Sequence, residues 1–322
     1  MKQFVYKLER KILKGFRKLC YGNKPTSKST VLMNGDMLND YIREALNSSD
    51  PLMVARFGST EFENFSYEYM MRQPLVVRYG YYLHGTSNLI HKDIEQEKYL
   101  INRLCVFSGF FPNDYRYLGK YTDLVIDDIH ELDLLGTWQN EEVLNKEYRE
   151  CQFASLENLE PYDYERPWSK ALEGKKVLVV HPFAKSIESQ YARRELLWDN
   201  PDVLPAFELK TIKAVQTIAG EKAPFQDWFE ALDYMKSQMD AVDYDVAIIG
   251  CGAYGFHLAA HAKRTGHKAI HLGGATQILF GIKGKRWEEL PAVSKFFNEY
   301  WVSPLPEETP KNNARVEGGC YW

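Results

Sequence analysis

The sequence predicts an α/β fold in which a mostly parallel sheet is flanked by helices on both faces. Three observations carry this. Short apolar runs such as Lys-Val-Leu-Val-Val at 176–180 and Asp-Val-Ala-Ile-Ile at 245–249 lack the alternation of a half-exposed strand, and read as strands buried on both faces. Helical stretches alternate with such runs, as the crossovers of a parallel sheet require. Residues 245–272 then string together strand, glycine turn, helix and strand. At 322 residues the chain can bury a full core.

The elements follow in chain order. Residues 1–22 hold seven Lys/Arg against one acid, Glu9, a balance of +6 within a chain whose net charge is −4. The remaining body is therefore acidic, which argues against nucleic acid as a partner. Wound at about 100° per residue, Phe4, Val5, Leu8, Ile12, Phe16 and Leu19 share one side of a helix. Lys7, Arg10, Lys11, Lys14, Arg17 and Lys18 share the other. A basic amphipathic helix of this kind suits an anionic membrane surface. The alternative is a terminal helix packed on the body with its basic face in water.

Residues 23–35 read as a polar linker, and the α/β body is expected over 23–302. Leu52 to Phe57 reads as the first strand, Leu75 to Tyr82 as the second and Asp123 to Asp127 as another, with a helix over Lys92 to Val106. Lys176 to Val180 is a buried strand, and a helix from about Phe225 to Met239 leads to the glycine-turn unit. A polar tail, 303–322, closes on Gly318-Gly319-Cys320-Tyr321-Trp322. Two terminal aromatics behind two flexible residues predict that the end folds back onto the body. The five cysteines show no C-x-x-C pairing, which suits reduced thiols. With no signal peptide and no apolar run near eighteen residues, the expectation is a cytoplasmic chain that does not span a membrane.

Gly250, Gly252 and Gly255 have the G-x-G-x-x-G spacing of a dinucleotide-binding turn, with a helix expected from Tyr254 to Thr265 and ended by Gly266. NAD would require an acidic residue about twenty positions on, where the chain reads Lys-Ala-Ile-His-Leu-Gly-Gly-Ala-Thr-Gln. NAD is therefore not expected. Another phosphate-bearing ligand, or a tight turn with no ligand, stays open.

Ligands of such sheets bind beyond the carboxyl ends of the strands. In Arg-Phe-Gly-Ser-Thr-Glu-Phe-Glu (56–63), Thr60 and Glu63 fit a capping box. Arg56 and Glu61 remain as candidates for chemistry, with Gly58 making the turn. After residue 180, His181, Lys185 and Ser186 are candidates to meet a diphosphate. Residues 273–287 combine Gly273, Gly274 and Gln277 with Lys283, Lys285 and Arg286, a candidate anion-binding rim. Gly250, Gly252 and Tyr254 complete the candidate binding set. His257 and His261 have the i, i+4 spacing of a zinc pair but no evident third ligand. No G-x-S-x-G, P-loop or Cys-His signature is present, which disfavours the common hydrolases and P-loop kinases.

The order of these parts resembles the GT-D type of bacterial glycosyltransferase. Members share an early A-R-F-G-D-G-E stretch, here Ala55-Arg56-Phe57-Gly58-Ser59-Thr60-Glu61, and a late G-x-x-A-I-x-x-G segment, here Gly266, Ala269, Ile270 and Gly273. The resemblance implies a single Rossmann-like catalytic domain that moves a sugar from a nucleotide-sugar donor to a cell-envelope or capsular polysaccharide acceptor, often lipid-linked. The family's D-x-E pattern is linked to a divalent metal on the donor diphosphate. This chain keeps Glu61 and has Ser59 where the first acid belongs, a weak site for Mg²⁺ or Mn²⁺. Lys185, Lys283 or Arg286 are the alternative neutralisers of the leaving diphosphate. Two other classes stay open: an NAD- or nucleotide-dependent enzyme acting on a small molecule, and a non-catalytic binding protein of polysaccharide assembly.

Overall fold

Seven strands form one all-parallel sheet in the order β3-β2-β1-β7-β6-β4-β5, in a computed structural model that describes residues 2–21, 32–139 and 141–322. The strands are β1 (Leu52–Arg56), β2 (Leu134–Thr137), β3 (Gln152–Ser155), β4 (Lys176–His181), β5 (Glu208–Lys213), β6 (Val246–Ile249) and β7 (Lys268–His271). The principal helices are α1 (Lys2–Tyr21), α2 (Gly35–Asn47), α3 (Ser59–Arg72), α4 (Leu75–His84), α5 (Ile94–Ser108), α6 (Leu118–Ile129), α7 (Ala184–Tyr191), α8 (Trp228–Asp240), α9 (Gly255–Arg264) and α10 (Ala275–Leu279).

The continuous apolar runs are the central strands, and alternate residues of each serve opposite faces. Met53, Ala55, Leu178, Val180, Ala247, Ile249 and Ala269 pack under α3, α5, α6, α8 and α9. Leu52, Val54, Val177, Val179, Val246, Ile248 and Ile270 pack on the other side, with Leu38 and Ile42 of α2, Ile187 of α7, and Trp168, Trp198 and Trp301. Burial on both faces is why these strands read as unbroken hydrophobic stretches. Gly266, at φ 87°, ends α9 in the left-handed conformation expected of it.

Two expected strands are helices. Leu75 to Tyr82 is part of α4, framed by Pro74 before it and the left-handed Gly85 after it. Its β-branched and aromatic residues suggest a strand, but those two punctuating residues fix a helix. Asp123 to Asp127 lies inside α6, whose buried Leu118, Tyr121, Thr122, Val125 and Ile129 show helical spacing over the longer window. Three strands escape the sequence pattern. β2 and β3 have four residues each, and β5 is a half-exposed edge. The expected linker gives way at Gly35 to α2, capped by Asn34, whose side chain accepts from the Met37 N–H at 2.9 Å. Residues 22–31 lie outside the described residues.

The expectation that the tail docks is met. Cys320 is buried, its carbonyl accepts from the Arg286 N–H at 3.0 Å, and the Trp322 indole donates to the Glu308 carbonyl at 3.4 Å. Among the described residues no helix is long and apolar enough to cross a membrane.

Candidate functional site

A parallel sheet brings the ends of all its strands to one edge. Here that edge carries a cleft of about 650 Å³. Arg56 ends β1, Trp138 follows β2, His181 ends β4, Gly250 follows β6 and His271 ends β7. All five line the cleft.

The segment after β1 supplies charge of both signs. Gly58 caps α3 without a side-chain bond, so the expected capping box is absent. Thr60 instead donates to Glu61 Oε2 at 2.9 Å and shares a short bond with the Ser108 hydroxyl at the end of α5. Glu63 is held by Arg103. The helix starts two residues earlier than a Thr60 cap would place it, which leaves Thr60 inside the first turn. Glu61 therefore sits in that turn, where the helix dipole favours an anion. The Arg56 guanidinium donates to the Phe57 carbonyl at 3.2 Å and lies 5.2 Å from the Trp138 ring. Burial pulls its pKa down, and the charges of Glu61, Tyr321 and Glu160 oppose that pull.

The glycine turn answers to the backbone first. Gly252 has φ 58°, and a Cβ on it would come within 2.6 Å of the Ser108 carbonyl oxygen. A Cβ on Gly250 would meet Thr276 Oγ1 at 2.6 Å, and one on Gly255 would strike the His271 ring. The three glycines thus let β6 and α9 close against their neighbours, while Gly250 and Gly252 also line the cleft. Opposite them, Gly273 at φ 60° allows Arg56 to lie across its turn.

Two neutral histidines face the cleft with opposite tautomers. His181 Nδ1 accepts from the Phe183 N–H at 3.0 Å, which leaves its proton on Nε2. His271 Nδ1 donates to the Ile249 carbonyl at 3.1 Å, which leaves Nε2 as the acceptor. Burial drives both pKa values down to about 3, and for His271 the Arg56 charge adds to the effect. Glu160, in the same cleft, is pushed the other way. Burial raises its pKa, against a hydrogen bond from Tyr162 and the charge of Arg56. A carboxyl so perturbed in a cleft is a candidate proton carrier.

Of the residues singled out in the sequence, the cleft gathers Arg56, Gly58, Ser59, Glu61, His181, Gly250, Gly252, Gly273, Gly274, Gln277 and Arg286. Lys185, Ser186, Tyr254, Lys283 and Lys285 stand elsewhere. Lys185 pairs with Glu307 at 2.6 Å, and Ser186 donates to Glu308. The Glu308 carboxylate also accepts from the Lys185 N–H at 2.8 Å and the Ser186 N–H at 3.3 Å. The tail's own carboxylate thus fills the helix terminus expected to hold a diphosphate. Tyr254 is buried and stacks on Trp228 at 5.0 Å. Lys283 lies 6.0 Å from the Phe297 ring, with its backbone tied to Val302. Gln277 is in the cleft wall, but its amide nitrogen already donates to the carbonyls of Ile282, Lys283 and Tyr321.

Sequence reasoning missed His271, Trp138, Glu160 and Trp287. The signal for His271 was there: a polar residue ending a buried strand beside the glycine turn. Beneath the cleft a void of about 10 Å³, room for one water, is lined by Arg56, Glu61, Tyr121, His257 and His271. His257 Nδ1 meets Asp128 Oδ2 at 2.6 Å, both side chains 1% exposed, and Arg264 braces Asp128. Among the described residues the buried His257 Nε2 has no hydrogen-bond partner. His261 bonds Asp240 at 2.7 Å instead, so the two histidines have separate partners and do not form a zinc pair.

Among the described residues no group of three His, Cys, Asp or Glu side chains is placed to hold a metal ion. Glu61 has Ser59 for a neighbour in the motif, and the Arg56 cation shares its cleft.

No family model and no curated protein matches the chain. A solved structure described as a selenomethionine-substituted domain of unknown function 1792 (DUF1792) is similar over 87% of this chain and 92% of its own, at 13% identity and a TM-score of 0.40. Likeness at that level carries no argument about function, which rests on the cleft.

Proposed function

We propose that the cleft binds a nucleotide sugar and transfers its sugar to a hydroxyl of a glycan or lipid-linked acceptor. The observation that carries this reading is the meeting of two arginines, Arg56 and Arg286, with the Glu61 carboxylate in one aromatic-walled cleft. Guanidinium groups suit the oxygens of a diphosphate. Trp138, Trp287, Tyr321 and Trp322 offer flat faces for a base or a sugar ring. In the transfer, the acceptor oxygen bonds to the anomeric carbon as the bond from that carbon to the diphosphate breaks. The nucleoside diphosphate leaves with the electron pair, its charge met by the arginines. The acceptor proton passes to Glu61; Glu160 and Glu317, the latter paired with Arg286, are the other carboxyls lining the cleft. No step is routed through a metal.

The reading places the glycines beside the donor and does not use NAD, since His271 stands where a ribose-binding acid would be. Isothermal titration with UDP, GDP, CMP and NAD tests it. A nucleotide should bind in the micromolar to millimolar range, roughly 4 to 8 kcal/mol, and Arg56→Ala should abolish that binding. Tight NAD binding with no nucleotide binding would overturn the reading.

A further inference from the structure

We infer that α1 is a docking surface for an anionic bilayer, latched to the body by its polar side and turned so that its apolar stripe faces outward. The inference holds whichever reaction the cleft performs.

The latch is made of named contacts. Tyr6 stacks on His91 with ring centroids 4.0 Å apart, and Glu9 pairs with His91 Nε2 at 2.6 Å. Tyr79 of α4 donates to the same carboxylate, and the Tyr82 hydroxyl reaches the Arg10 carbonyl at 3.4 Å. The inward side is thus the Tyr6–Glu9 side, continued one and two turns on by the half-buried Leu13 and Arg17.

A terminal helix that merely completed the core would bury its apolar side. This one does not. Leu8, Ile12, Phe16 and Leu19, spaced by four, four and three residues, are 51%, 63%, 52% and 86% exposed. They form one continuous stripe about a third of a turn from the latch. Leu75 and Val76 of α4 are exposed as well. Contiguous exposed apolar surface of this kind marks an interaction site.

Charge selects the partner. Glu9 is the lone acid among residues 1–22, and it is turned into the body. Lys11 and Lys18 are left in solvent at the flank of the stripe and Arg10 and Lys14 in solvent farther round the basic side, with no acid on the segment to balance them. A second copy pairing stripe to stripe would set one basic flank against another. An anionic lipid surface takes the apolar side chains into its acyl boundary and meets the cations with its headgroups.

Co-sedimentation of the full chain with vesicles tests this, using phosphatidylcholine alone and phosphatidylcholine mixed with phosphatidylserine. Binding should require the anionic lipid and weaken as salt screens it. Phe16→Glu with Leu19→Glu should abolish it, with an unchanged unfolding midpoint because both side chains are exposed. Lys11→Gln, Lys14→Gln and Lys18→Gln should each lower partitioning about fivefold. An unaltered chain that stays in the supernatant when anionic vesicles pellet, or pelleting that survives the double glutamate change, would overturn the inference. So would a dimer that the same change dissociates, since the stripe would then belong to a second copy.

Discussion

The Glu61 carboxylate folds back over Gly58, so that a Cβ on residue 58 would collide with it. Gly58 has an ordinary extended backbone, φ −73° and ψ 155°, which any residue adopts. The obstacle is therefore the far end of one flexible side chain and nothing of the backbone. Gly58→Ala should fold with a stability within about 0.5 kcal/mol of the parent and swing the carboxylate out of place. Its transfer rate should fall with that of Glu61→Gln, for which a positioned proton carrier is worth about 10²- to 10⁴-fold. Glu63→Gln, whose carboxylate serves Arg103, should keep the rate. Steady-state rates and denaturant curves on the three variants check this, and a fully active Gly58→Ala would separate Glu61 from the chemistry.

Acid should unfold the protein through its cleft histidines. Burial holds His181 and His271 at a pKa of about 3, while an unfolded histidine protonates near 6.5. Below that value the unfolded chain takes up protons that the folded one refuses. The stabilisation is complete above pH 6.5 and declines toward pH 3, by up to about 1.4 kcal/mol per pH unit for each histidine. Urea unfolding at steps from pH 7 to pH 4 should show the slope. His271→Gln should flatten it, whatever that change does to absolute stability.

The tail should matter to the body through Glu308. Its carboxylate, 2% exposed, receives both amides at the start of α7 and the Ser186 hydroxyl. Glu308→Ala leaves those donors unpaired and should cost about 1–3 kcal/mol. Lys185→Ala breaks only the exposed pair to Glu307 and should cost under about 1 kcal/mol. Near-equal denaturation midpoints for the two variants would contradict this ranking.

Asp128 should be a second sensitive acid. It is 1% exposed and holds both His257 and Arg264. Asp128→Ala leaves Arg264 with Asp127 and Glu131 but takes the partner from the buried His257 Nδ1. A buried polar group left unpaired costs about 1–3 kcal/mol, and thermal or urea unfolding should register a loss of that order. A loss under about 1 kcal/mol would show that water replaces the carboxylate.

Legibility in the sequence followed burial. β1, β4, β6 and β7 are near-continuous apolar runs because both faces of the sheet are covered, and each was readable from its own residues. β5 was not, because half of Glu-Leu-Lys-Thr-Ile-Lys faces solvent at the edge. The run at 75–82 was misread because composition outweighed its flanking Pro74 and Gly85. In the site, Arg56, Glu61, His181 and Arg286 could be singled out as polar groups at strand ends or beside glycines. Trp138 and Glu160 could not, since the strands before them, β2 and β3, went unrecognised.

By itself the sequence determined the alternation of buried strands and helices, the glycine turn, and an N-terminal helix with separate apolar and basic sides. These are set by local periodicity, which neighbours in the chain already contain. Only the tertiary structure decided which donors are free. It set Glu308 against the α7 amides across more than a hundred residues of chain, and it turned Glu9 inward to His91. Whether a polar group awaits a ligand depends on which distant side chain reaches it first, and that is a property of packing between segments far apart in sequence.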